Sequence, residues 1–337
     1  MNAPDASPTI EDIRAAAERI GGEAVRTPLL RSALLDELTG ARIFLKAENL
    51  QRTGSFKFRG AFNALAAQRE AAAKGVVACS SGNHAQGVAE AARIVDVSAT
   101  IVMPRDAPEA KKARTRRAGA TIVEYDRETE DREAIAHELA AREGALFVHP
   151  YEDFHVMAGQ GTCGLEIAED LASMDLAPSG VLVCTGGGGL LGGIAVAVLD
   201  AFADVQIIAA EPEGFDDYGR SLRSGERETN ARQGGSVCDA ILTPAPGRRS
   251  FAITRNVAWG TTVTDAEALE AVAFAADELK TVVEPGGAVA LATLLKEGRA
   301  GNLRTSGTPA VFVATLSGGN IDPAMLARAL SARPAIG

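Results

Sequence analysis

One lysine in this sequence lies in a setting suited to covalent chemistry. Lys57 stands between two phenylalanines, Phe56 and Phe58, directly after the turn-forming residues Thr53-Gly54-Ser55. A partly apolar environment disfavours the charged form of an amine, so the neutral form becomes accessible. A neutral lysine can attack carbonyl groups and can also accept protons. The alternative is an ordinary solvated lysine at the beginning of a helix, and the rest of the chain has to decide between the two.

Two segments that follow apolar strands are suited to binding an anion. Ser80-Ser81-Gly82-Asn83-His84 follows the apolar residues 75–79, and Gly186-Gly187-Gly188-Gly189 follows 180–184. Each segment leads into a predicted helix, so backbone N–H groups at a helix N-terminus would face the ligand. The four glycines leave these N–H groups uncovered by Cβ atoms, which suits a phosphate. The first segment adds hydroxyl, amide and imidazole donors.

The glycine segment also contains the pattern GxGxxG, at Gly187, Gly189 and Gly192. Glu211 ends the next predicted strand about 20 residues further on, as in dinucleotide-binding folds. An NAD-dependent oxidoreductase is therefore a competing hypothesis. Two observations weigh against it. Four successive glycines form a wider loop than the usual fingerprint, and a dehydrogenase has no use for Lys57 between aromatic residues.

Pyridoxal phosphate is the cofactor that would use all of these features together. It requires a lysine for a Schiff base, a phosphate-binding loop, and hydrogen-bond partners for its ring nitrogen and its phenolic oxygen. Ser317 follows the last predicted strand and is a candidate partner for the ring nitrogen. Asn83 is a candidate partner for the phenolic oxygen.

Four motifs follow one another along the chain: Ser55-Phe56-Lys57-Phe58-Arg59-Gly60-Ala61, Ser80-Ser81-Gly82-Asn83-His84, Thr185-Gly186-Gly187-Gly188-Gly189-Leu190 and Leu316-Ser317-Gly318-Gly319-Asn320. With these motifs the chain resembles the serine/threonine dehydratase and serine racemase family of fold-type II pyridoxal-phosphate enzymes. The resemblance extends from about residue 10 to residue 326. It implies a fold like that of the tryptophan synthase β subunit, a homodimer, and an ammonia-lyase (dehydratase) that converts a β-hydroxy amino acid of the L-threonine or L-serine type to a 2-oxo acid and ammonia.

The resemblance implies a role for each matching residue around the cofactor. Lys57 would carry the cofactor and act as the base at the substrate Cα. Phe56 would pack against the cofactor ring, Asn83 would bond the phenolic oxygen, and Ser317 would bond the pyridine nitrogen. The residues implied to hold the phosphate are Gly186, Gly187, Gly188, Gly189 and Leu190.

The resemblance also implies roles toward the substrate. Ser80, Asn83 and His84 would receive the substrate carboxylate at a helix N-terminus. Ser81 would lie on the cofactor face opposite Lys57. In racemising members of the family this serine is the second acid/base, so a serine racemase-like activity is one alternative. A hydroxyl at Ser317, rather than a carboxylate, leaves the ring nitrogen largely unprotonated and favours β-elimination over transamination.

The segment Glu211-Pro212-Glu213-Gly214-Phe215-Asp216-Asp217 resembles the family's divalent-cation loop. The carboxylates of Glu211 and Asp217 and the carbonyl of Phe215 would be the metal ligands. A set of oxygen ligands suits Mg²⁺ or Ca²⁺. The alternative is an acidic surface loop without a metal.

Two segments depart from the family pattern, namely Cys238-Asp239-Ala240 and Ala258-Trp259-Gly260. Members often have Ala-Asp-Gly at the first segment and acidic residues near the second. Both segments are predicted to approach the substrate side chain, so 3-hydroxyaspartate and phenylserine are alternative substrates. Because the chain ends soon after the last motif, no fused regulatory domain and no feedback by isoleucine are expected.

Alternating strands and helices predict an α/β protein with two open, mainly parallel, twisted sheets flanked by helices. We predict a large cofactor-binding domain formed by residues 1–70 and 150–337, and a small mobile domain formed by 73–149. Helices are predicted over 58–73 and 157–172, and residues 214–256 are predicted to be irregular.

The composition argues against several classes of protein. The 337 residues are 46% hydrophobic and 23% charged, as in ordinary globular proteins, and the net charge of −10 argues against a nucleic-acid or membrane-surface binder. No membrane span or secretory signal is recognisable, which predicts a cytoplasmic protein. The four cysteines lack metal-ligand spacing, and Cys79 and Cys184 are predicted to be buried, reduced thiols.

Overall fold

The computed structural model describes residues 6–232 and 234–332, and its strands form two separate sheets. The strands are β1 (Leu29–Leu30), β2 (Arg42–Lys46), β3 (Val76–Cys79), β4 (Ala99–Pro104), β5 (Thr121–Tyr125), β6 (Leu146–Phe147), β7 (Gly180–Cys184), β8 (Gln206–Pro212), β9 (Ala258–Val263) and β10 (Val311–Thr315). The larger sheet has the order β1-β2-β10-β7-β8-β9, and the smaller sheet has the order β5-β4-β3-β6. All neighbouring strands are parallel except β1 and β2. The two open, mainly parallel sheets predicted from the sequence are thus present.

Helices cover both faces of the sheets, as parallel sheets require. They are α1 (Ile10–Ile20), α2 (Ala33–Thr39), α3 (Lys57–Ala67), α4 (Arg69–Ala72), α5 (Asn83–Val95), α6 (Glu109–Arg117), α7 (Arg132–Glu143), α8 (Phe154–Ser173), α9 (Gly189–Ala201), α10 (Asp217–Ser224), α11 (Arg248–Thr254), α12 (Asp265–Glu278), α13 (Pro285–Arg299) and α14 (Pro323–Ser331). On the larger sheet, α12 and α13 contribute to the apolar cluster on one face, and α8 and α9 to the cluster on the other. Every residue of β3 and of β7 is buried, which explains why these strands are continuous apolar runs.

A cluster of buried charges holds α3 against β2 and α8. Arg59 Nε lies 2.8 Å from Glu48 Oε2, and Arg59 Nη1 lies 2.7 Å from Glu166 Oε1. Lys46 Nζ lies 2.6 Å from the other oxygen of Glu166. Burial opposes the charge on Glu48, but the attraction of Arg59 outweighs it and keeps the pKa of Glu48 below its ordinary value. This cluster fixes the first turn of α3, which carries Lys57.

The helix predicted over 157–172 is present and contains a glycine-rich segment near residue 160. Helix α8 begins at Phe154, where the side chain of Asp153 accepts a hydrogen bond from the N–H of Val156. A Cβ added to Gly159 would lie 2.7 Å from both the carbonyl oxygen of Arg59 and the Cα of Gly60. The missing side chain therefore allows α8 to pack closely against α3, and this packing outweighs the low helix propensity of glycine.

Other local predictions need correction. The helix predicted over 58–73 is divided at Gln68, whose φ of −116° and ψ of 37° separate α3 from α4. Residues 214–256 are not irregular throughout, because they contain α10 and α11. Strand β9 was not predicted, since its mixed polar and apolar residues and its glycine lack a clear strand pattern. It is nevertheless paired with β8 over its whole length.

The smaller sheet lies between residues 76 and 147, inside the segment predicted as the small domain, and the domain boundaries stay a prediction. Across residues 6–232 and 234–332, no helix is both long enough and apolar enough to cross a bilayer. All four cysteines are free and buried, as predicted for Cys79 and Cys184.

Candidate active site

The four sequence motifs meet where strands of the two sheets end. Strands β3, β7 and β10 lead at their carboxyl ends into the segments that begin at Ser80, Thr185 and Leu316. Open α/β sheets form ligand-binding crevices at these ends. A cavity lies there, and its lining includes members of all four motifs: Phe56, Lys57, Asn83, Gly186, Gly187, Gly188, Gly189, Leu190 and Ser317.

Lys57 is positioned by pairing between two distant motifs. Ser55 forms an antiparallel bridge with Gly318, and the N–H of Phe56 donates a 3.1 Å hydrogen bond to the carbonyl of Ser317. Lys57 follows as the first residue of α3. This pairing brings Lys57 and Ser317, the candidate partner of the cofactor's ring nitrogen, into one cavity. The two residues are 260 positions apart in the sequence (317 − 57).

The amine of Lys57 faces the cavity from a poorly solvated position. Its Nζ donates a 3.1 Å hydrogen bond to the carbonyl of Pro150 and lies 4.9 Å from the centre of the Phe56 ring. Burial lowers the pKa of Lys57 to about 8. About a tenth of the amine is therefore uncharged at pH 7, far more than for an ordinary lysine, and a nucleophile or a base requires this neutral form.

The glycine loop is a cradle that side chains would fill. Gly188 has a φ of +82°, and a Cβ there would lie 2.3 Å from the Tyr218 ring and 2.6 Å from Ser250 Oγ. A Cβ on Gly187 would lie 2.5 Å from the Tyr151 ring. Helix α9 begins at Gly189, so its first N–H groups point toward the loop. These features fit the phosphate of pyridoxal phosphate.

Asn83 joins the two sheets through side chains. Its amide nitrogen donates a 2.5 Å hydrogen bond to Glu284, and its oxygen accepts a 2.8 Å bond from Asn320. Burial raises the pKa of Glu284 to about 7. Glu284 lines the cavity but was missed in the sequence, where its only signal is its place before Pro285 at the start of α13.

A second, adjoining cavity extends from Lys57 toward the smaller sheet. Ser80, Ser81, Asn83 and His84 line it, so the structure brings together the residues predicted to act on or bind the substrate. Gly82 precedes α5 and makes no side-chain cap, which leaves the N-terminus of that helix available to a carboxylate.

The imidazole of His84 is less available than the sequence suggested. Its Nε2 lies 3.0 Å from the carbonyl of Val148, so this nitrogen carries the proton. Burial, reinforced by the charge of Lys57, lowers the pKa of His84 to about 3. The ring is therefore neutral and its proton is already donated to Val148. A contribution of His84 to carboxylate binding is limited to its backbone N–H.

The predicted cation loop contains two buried carboxylates. Both oxygens of Glu211 accept backbone hydrogen bonds, from Tyr218 at 2.9 Å and from Gly219 at 2.7 Å. Asp217 Oδ1 accepts a bond from Asn230, while Asp217 Oδ2 is buried without a partner among the described residues. Burial raises the pKa of Asp217 to about 7 and, together with the charge of Asp217, raises that of Glu211.

This donor set fits a hard cation only partly. In the described portion of the chain, no group of three or more His, Cys, Asp and Glu residues could hold a metal. The unpartnered oxygen of Asp217 is compatible with oxygen ligation that also uses a carbonyl. The inward orientation of Glu211 also excludes it as the ribose ligand of a nicotinamide cofactor, because both of its oxygens are held by backbone N–H groups.

The two segments that depart from the family pattern lie in different places in the fold. Asp239 and Ala240 line the second cavity, and their approach to the substrate stays a prediction. Trp259 does not: it lies on strand β9 at the edge of the larger sheet, 46% exposed. Arg132, the first residue of α7, also lines the second cavity. It was not predicted as a site residue, because it lies in no motif that could have identified it.

Comparison with known proteins agrees with this geometry. Residues 21–318 match the family model described as pyridoxal-phosphate dependent enzyme. An L-threo-3-hydroxyaspartate ammonia-lyase of a Pseudomonas species is 45% identical over 313 residues, which cover 92% of this chain and 95% of that protein. The crystal structure of a threonine deaminase from T.th. matches with a TM-score of 0.86 and 42% identity, covering 94% of this chain and 99% of that chain. Maize serine racemase matches with a TM-score of 0.87 and 31% identity, covering 97% and 98%.

Proposed function

The chain belongs to the family of pyridoxal-phosphate dependent enzymes, and on that premise we propose that it is an ammonia-lyase of β-hydroxy amino acids. The observation that carries the proposal is the poorly solvated amine of Lys57, which lines the same cavity as the glycine loop. The relatives named as 3-hydroxyaspartate ammonia-lyase and threonine deaminase support the same class of reaction.

Each of the predicted cofactor-binding residues has a role toward the cofactor. When bound, pyridoxal phosphate supplies the electron sink that makes the Cα proton of an amino acid removable. Lys57 is its covalent attachment point and the base that takes that proton. The loop 186–190 holds the phosphate, Phe56 packs against the ring, and Asn83 and Ser317 provide its hydrogen-bond partners.

The substrate lies in the second cavity. Ser80 and the N–H groups that begin α5 bind its α-carboxylate, which a helix N-terminus stabilises. Loss of the α-proton and of the β-hydroxyl eliminates water, and subsequent hydrolysis gives a 2-oxo acid and ammonia. The hydroxyl of Ser317 cannot hold a proton on the ring nitrogen as a carboxylate would, which favours prompt elimination.

The test is release of 2-oxo acid by the purified, cofactor-loaded enzyme. Threonine, serine, 3-hydroxyaspartate and phenylserine are each assayed with and without Mg²⁺. We expect turnover with at least one of them. The proposal fails if none of the four releases a 2-oxo acid above the rate of a Lys57→Ala control.

Racemisation is a second candidate function, and Ser81 is the observation that favours it. Ser81 lines the same cavity as Lys57, so a proton could be returned to Cα from a second group. The match to maize serine racemase points the same way. Chiral chromatography of the amino acid recovered from a partial reaction distinguishes the two activities, because a pure lyase leaves the remaining substrate in its original configuration.

We further propose a cytoplasmic homodimer in which the segment 73–149 moves as a small domain over the site. The smaller sheet falls within this segment, and the second cavity lies between it and the residues of the larger sheet. Size-exclusion chromatography with light scattering tests the dimer. Hydrogen exchange with and without substrate tests the motion, since closure should slow exchange at residues 80–84.

A further inference from the structure

Arg132 occupies the substrate side of the site with no partner among the described residues. It lines the second cavity together with Lys57 and Ser81, and it is partly buried. Its side chain forms no hydrogen bond and no ion pair with any residue that the structure describes. An arginine that is removed in part from water and left unpaired is unfavourable unless a ligand completes its bonding.

Helix stability does not account for this position. Arg132 is the first residue of α7, and Asp131 caps the helix by accepting hydrogen bonds from the N–H groups of Glu133 and Ala134. The N-terminus of a helix carries a partial positive charge, which favours acidic residues and disfavours arginine. An arginine here therefore weakens α7 slightly, and its location has to be explained by what it faces.

The other charges of the cavity are already matched or unsuited to bind an anion. Lys111 Nζ lies 2.8 Å from Asp239 Oδ2, so these two charges compensate each other. Lys57 is reserved for the cofactor. The charge of Arg132 opposes the rise that burial causes in the pKa of Tyr151, a residue that lines both cavities, so its field reaches the site. Arg132 is therefore a cation of this lining that forms no ion pair with a described residue.

The rest of the lining offers few apolar contacts to an apolar side chain of a substrate. Aliphatic carbon comes from a few residues such as Ala240, Leu242 and Pro150, whereas the remaining lining residues are mostly polar or charged. A phenyl ring would displace water from hydroxyls, amides and a guanidinium without replacing their hydrogen bonds. A carboxylate at the same place would satisfy the guanidinium.

We propose that Arg132 binds the side-chain carboxylate of the substrate, so that the enzyme prefers dicarboxylic β-hydroxy amino acids such as 3-hydroxyaspartate. This assignment rests on the proposed ammonia-lyase function and names its substrate class. The α-carboxylate occupies the N-terminus of α5, and the second carboxylate reaches Arg132 from the other end of the molecule. A planar guanidinium matches a carboxylate with two parallel hydrogen bonds, which the methyl group of threonine cannot accept.

Kinetics of single variants provide the first test. Replacing Arg132 with methionine keeps much of its length and removes its charge. We expect kcat/KM for L-threo-3-hydroxyaspartate to fall about 10- to 100-fold in Arg132→Met, the loss typical of a charged hydrogen bond. For L-threonine the change should stay below about threefold, because no charged partner is lost. Arg132→Lys should recover part of the activity toward the dicarboxylic substrate.

Arg127→Met is the matched control. Arg127 lies nearby in the same segment of the chain, pairs with Asp106 at 3.0 Å and is 51% exposed. It does not line the cavity that contains Lys57. Its replacement removes the same charge without touching the site, so both substrates should be turned over as by the wild type. Melting temperatures of the variants show whether each one folds.

Binding provides a readout that does not depend on turnover. L-aspartate has the same two carboxylates but no β-hydroxyl to eliminate, and L-alanine lacks the second carboxylate. By calorimetry, the cofactor-loaded wild type should bind L-aspartate more tightly than L-alanine. Arg132→Met should weaken L-aspartate about 10- to 100-fold and leave L-alanine within about threefold.

The two proposals fail in different ways. If the wild type releases no 2-oxo acid from any β-hydroxy amino acid, the lyase function fails, while the calorimetry still decides whether Arg132 holds a second carboxylate. If the wild type is active but Arg132→Met changes both substrates by the same factor and leaves L-aspartate binding intact, the assignment of Arg132 is overturned and the lyase function stands.

Discussion

The Nζ atom of Lys57 donates a 3.1 Å hydrogen bond to the carbonyl oxygen of Pro150. A carbonyl accepts this bond from a neutral amine as well as from an ammonium, so the contact orients Lys57 without fixing its charge. Pro150 lies directly before Tyr151, which packs against the glycine loop. One short segment therefore positions both the candidate nucleophile and the candidate phosphate cradle.

Replacing Lys57 with alanine should abolish covalent attachment of the cofactor. After borohydride reduction, mass spectrometry of the wild type should find pyridoxal phosphate on the peptide that contains Lys57, and no modification in Lys57→Ala. Turnover should fall by at least about 10²–10⁴-fold, the contribution typical of a general base. Lys74→Ala, at an exposed lysine, is the control and should behave as the wild type.

Uptake of the cofactor should depend on pH through Lys57. Because burial lowers the pKa of Lys57 to about 8, the reactive neutral amine increases as pH rises through that value. The rate at which cofactor-free enzyme recombines with pyridoxal phosphate should therefore increase from about pH 7 to about pH 9 and then level off. The absorbance change on mixing measures this rate. A rate that keeps rising up to about pH 10.5 would mean that the amine is fully solvated.

Replacing Gly188 with alanine should damage the phosphate cradle. The left-handed backbone alone costs an alanine about 1–2 kcal/mol, and the overlap with Tyr218 and Ser250 adds to it. Gly225→Ala is a matched control, since Gly225 has a φ of +79° but nothing within 4 Å of an added Cβ. Urea unfolding of both variants separates strain from overlap, and only Gly188→Ala should weaken cofactor binding at least tenfold. Equal effects on cofactor affinity would contradict the cradle.

Removing Arg59 should destabilise the protein far more than removing a surface arginine. Arg59→Met leaves Glu48 charged and buried without its main partner, which costs about 3–5 kcal/mol. Arg14 forms exposed pairs with Glu11 and Asp200, so Arg14→Met should cost less than about 1 kcal/mol. Denaturant unfolding measures both values. Similar losses in the two variants would show that the buried cluster is not what holds α3.

A divalent cation should stabilise the wild type through Asp217. We expect Mg²⁺ or Ca²⁺ to raise the melting temperature of the wild type by a few degrees, since a ligand at 100 times its dissociation constant adds about 3 kcal/mol. Asp217→Asn should lose this response, and Asp216→Asn, in the same loop, should keep it.

The pKa of Asp217 also predicts how Asp217→Asn changes the stability of the protein when no cation is bound. Burial raises this pKa to about 7 from an ordinary value of 3.8, so the folded protein resists the charged form. The group therefore destabilises the fold progressively above its unfolded pKa, and most fully above pH 7. In cation-free buffer at about pH 8, Asp217→Asn should be at least as stable as the wild type.

Much of the site could be predicted because its parts are local. A strand, a short loop of small residues and a helix follow one another within about ten residues, and each such unit presents backbone N–H groups at its own junction. Lys57, the glycine loop and Ser317 were recognisable in this way. The secondary structure after residue 214 was harder to predict from the sequence, since strand β9 depends on pairing with β8 rather than on its own residue pattern.

Local patterns also misled where packing sets the outcome. The pattern ending in Glu211 indicated a dinucleotide site, but the fold turns this carboxylate inward onto the N–H groups of Tyr218 and Gly219. His84 looked like a free donor, yet its ring is bonded to Val148. In both cases the partner comes from backbone that the fold brings close.

By itself, the sequence determined the fold class and the cofactor, and it predicted which lysine would hold that cofactor, because these depend on short motifs whose geometry is local. Tertiary structure alone decided which charges face the substrate. Glu284 and Arg132 lie far apart in the chain and carry no motif, and they line one cavity only because the ends of two separate sheets meet there. The charge of a side chain is known from the sequence. Whether another residue compensates that charge depends on which distant segments the fold brings close to it.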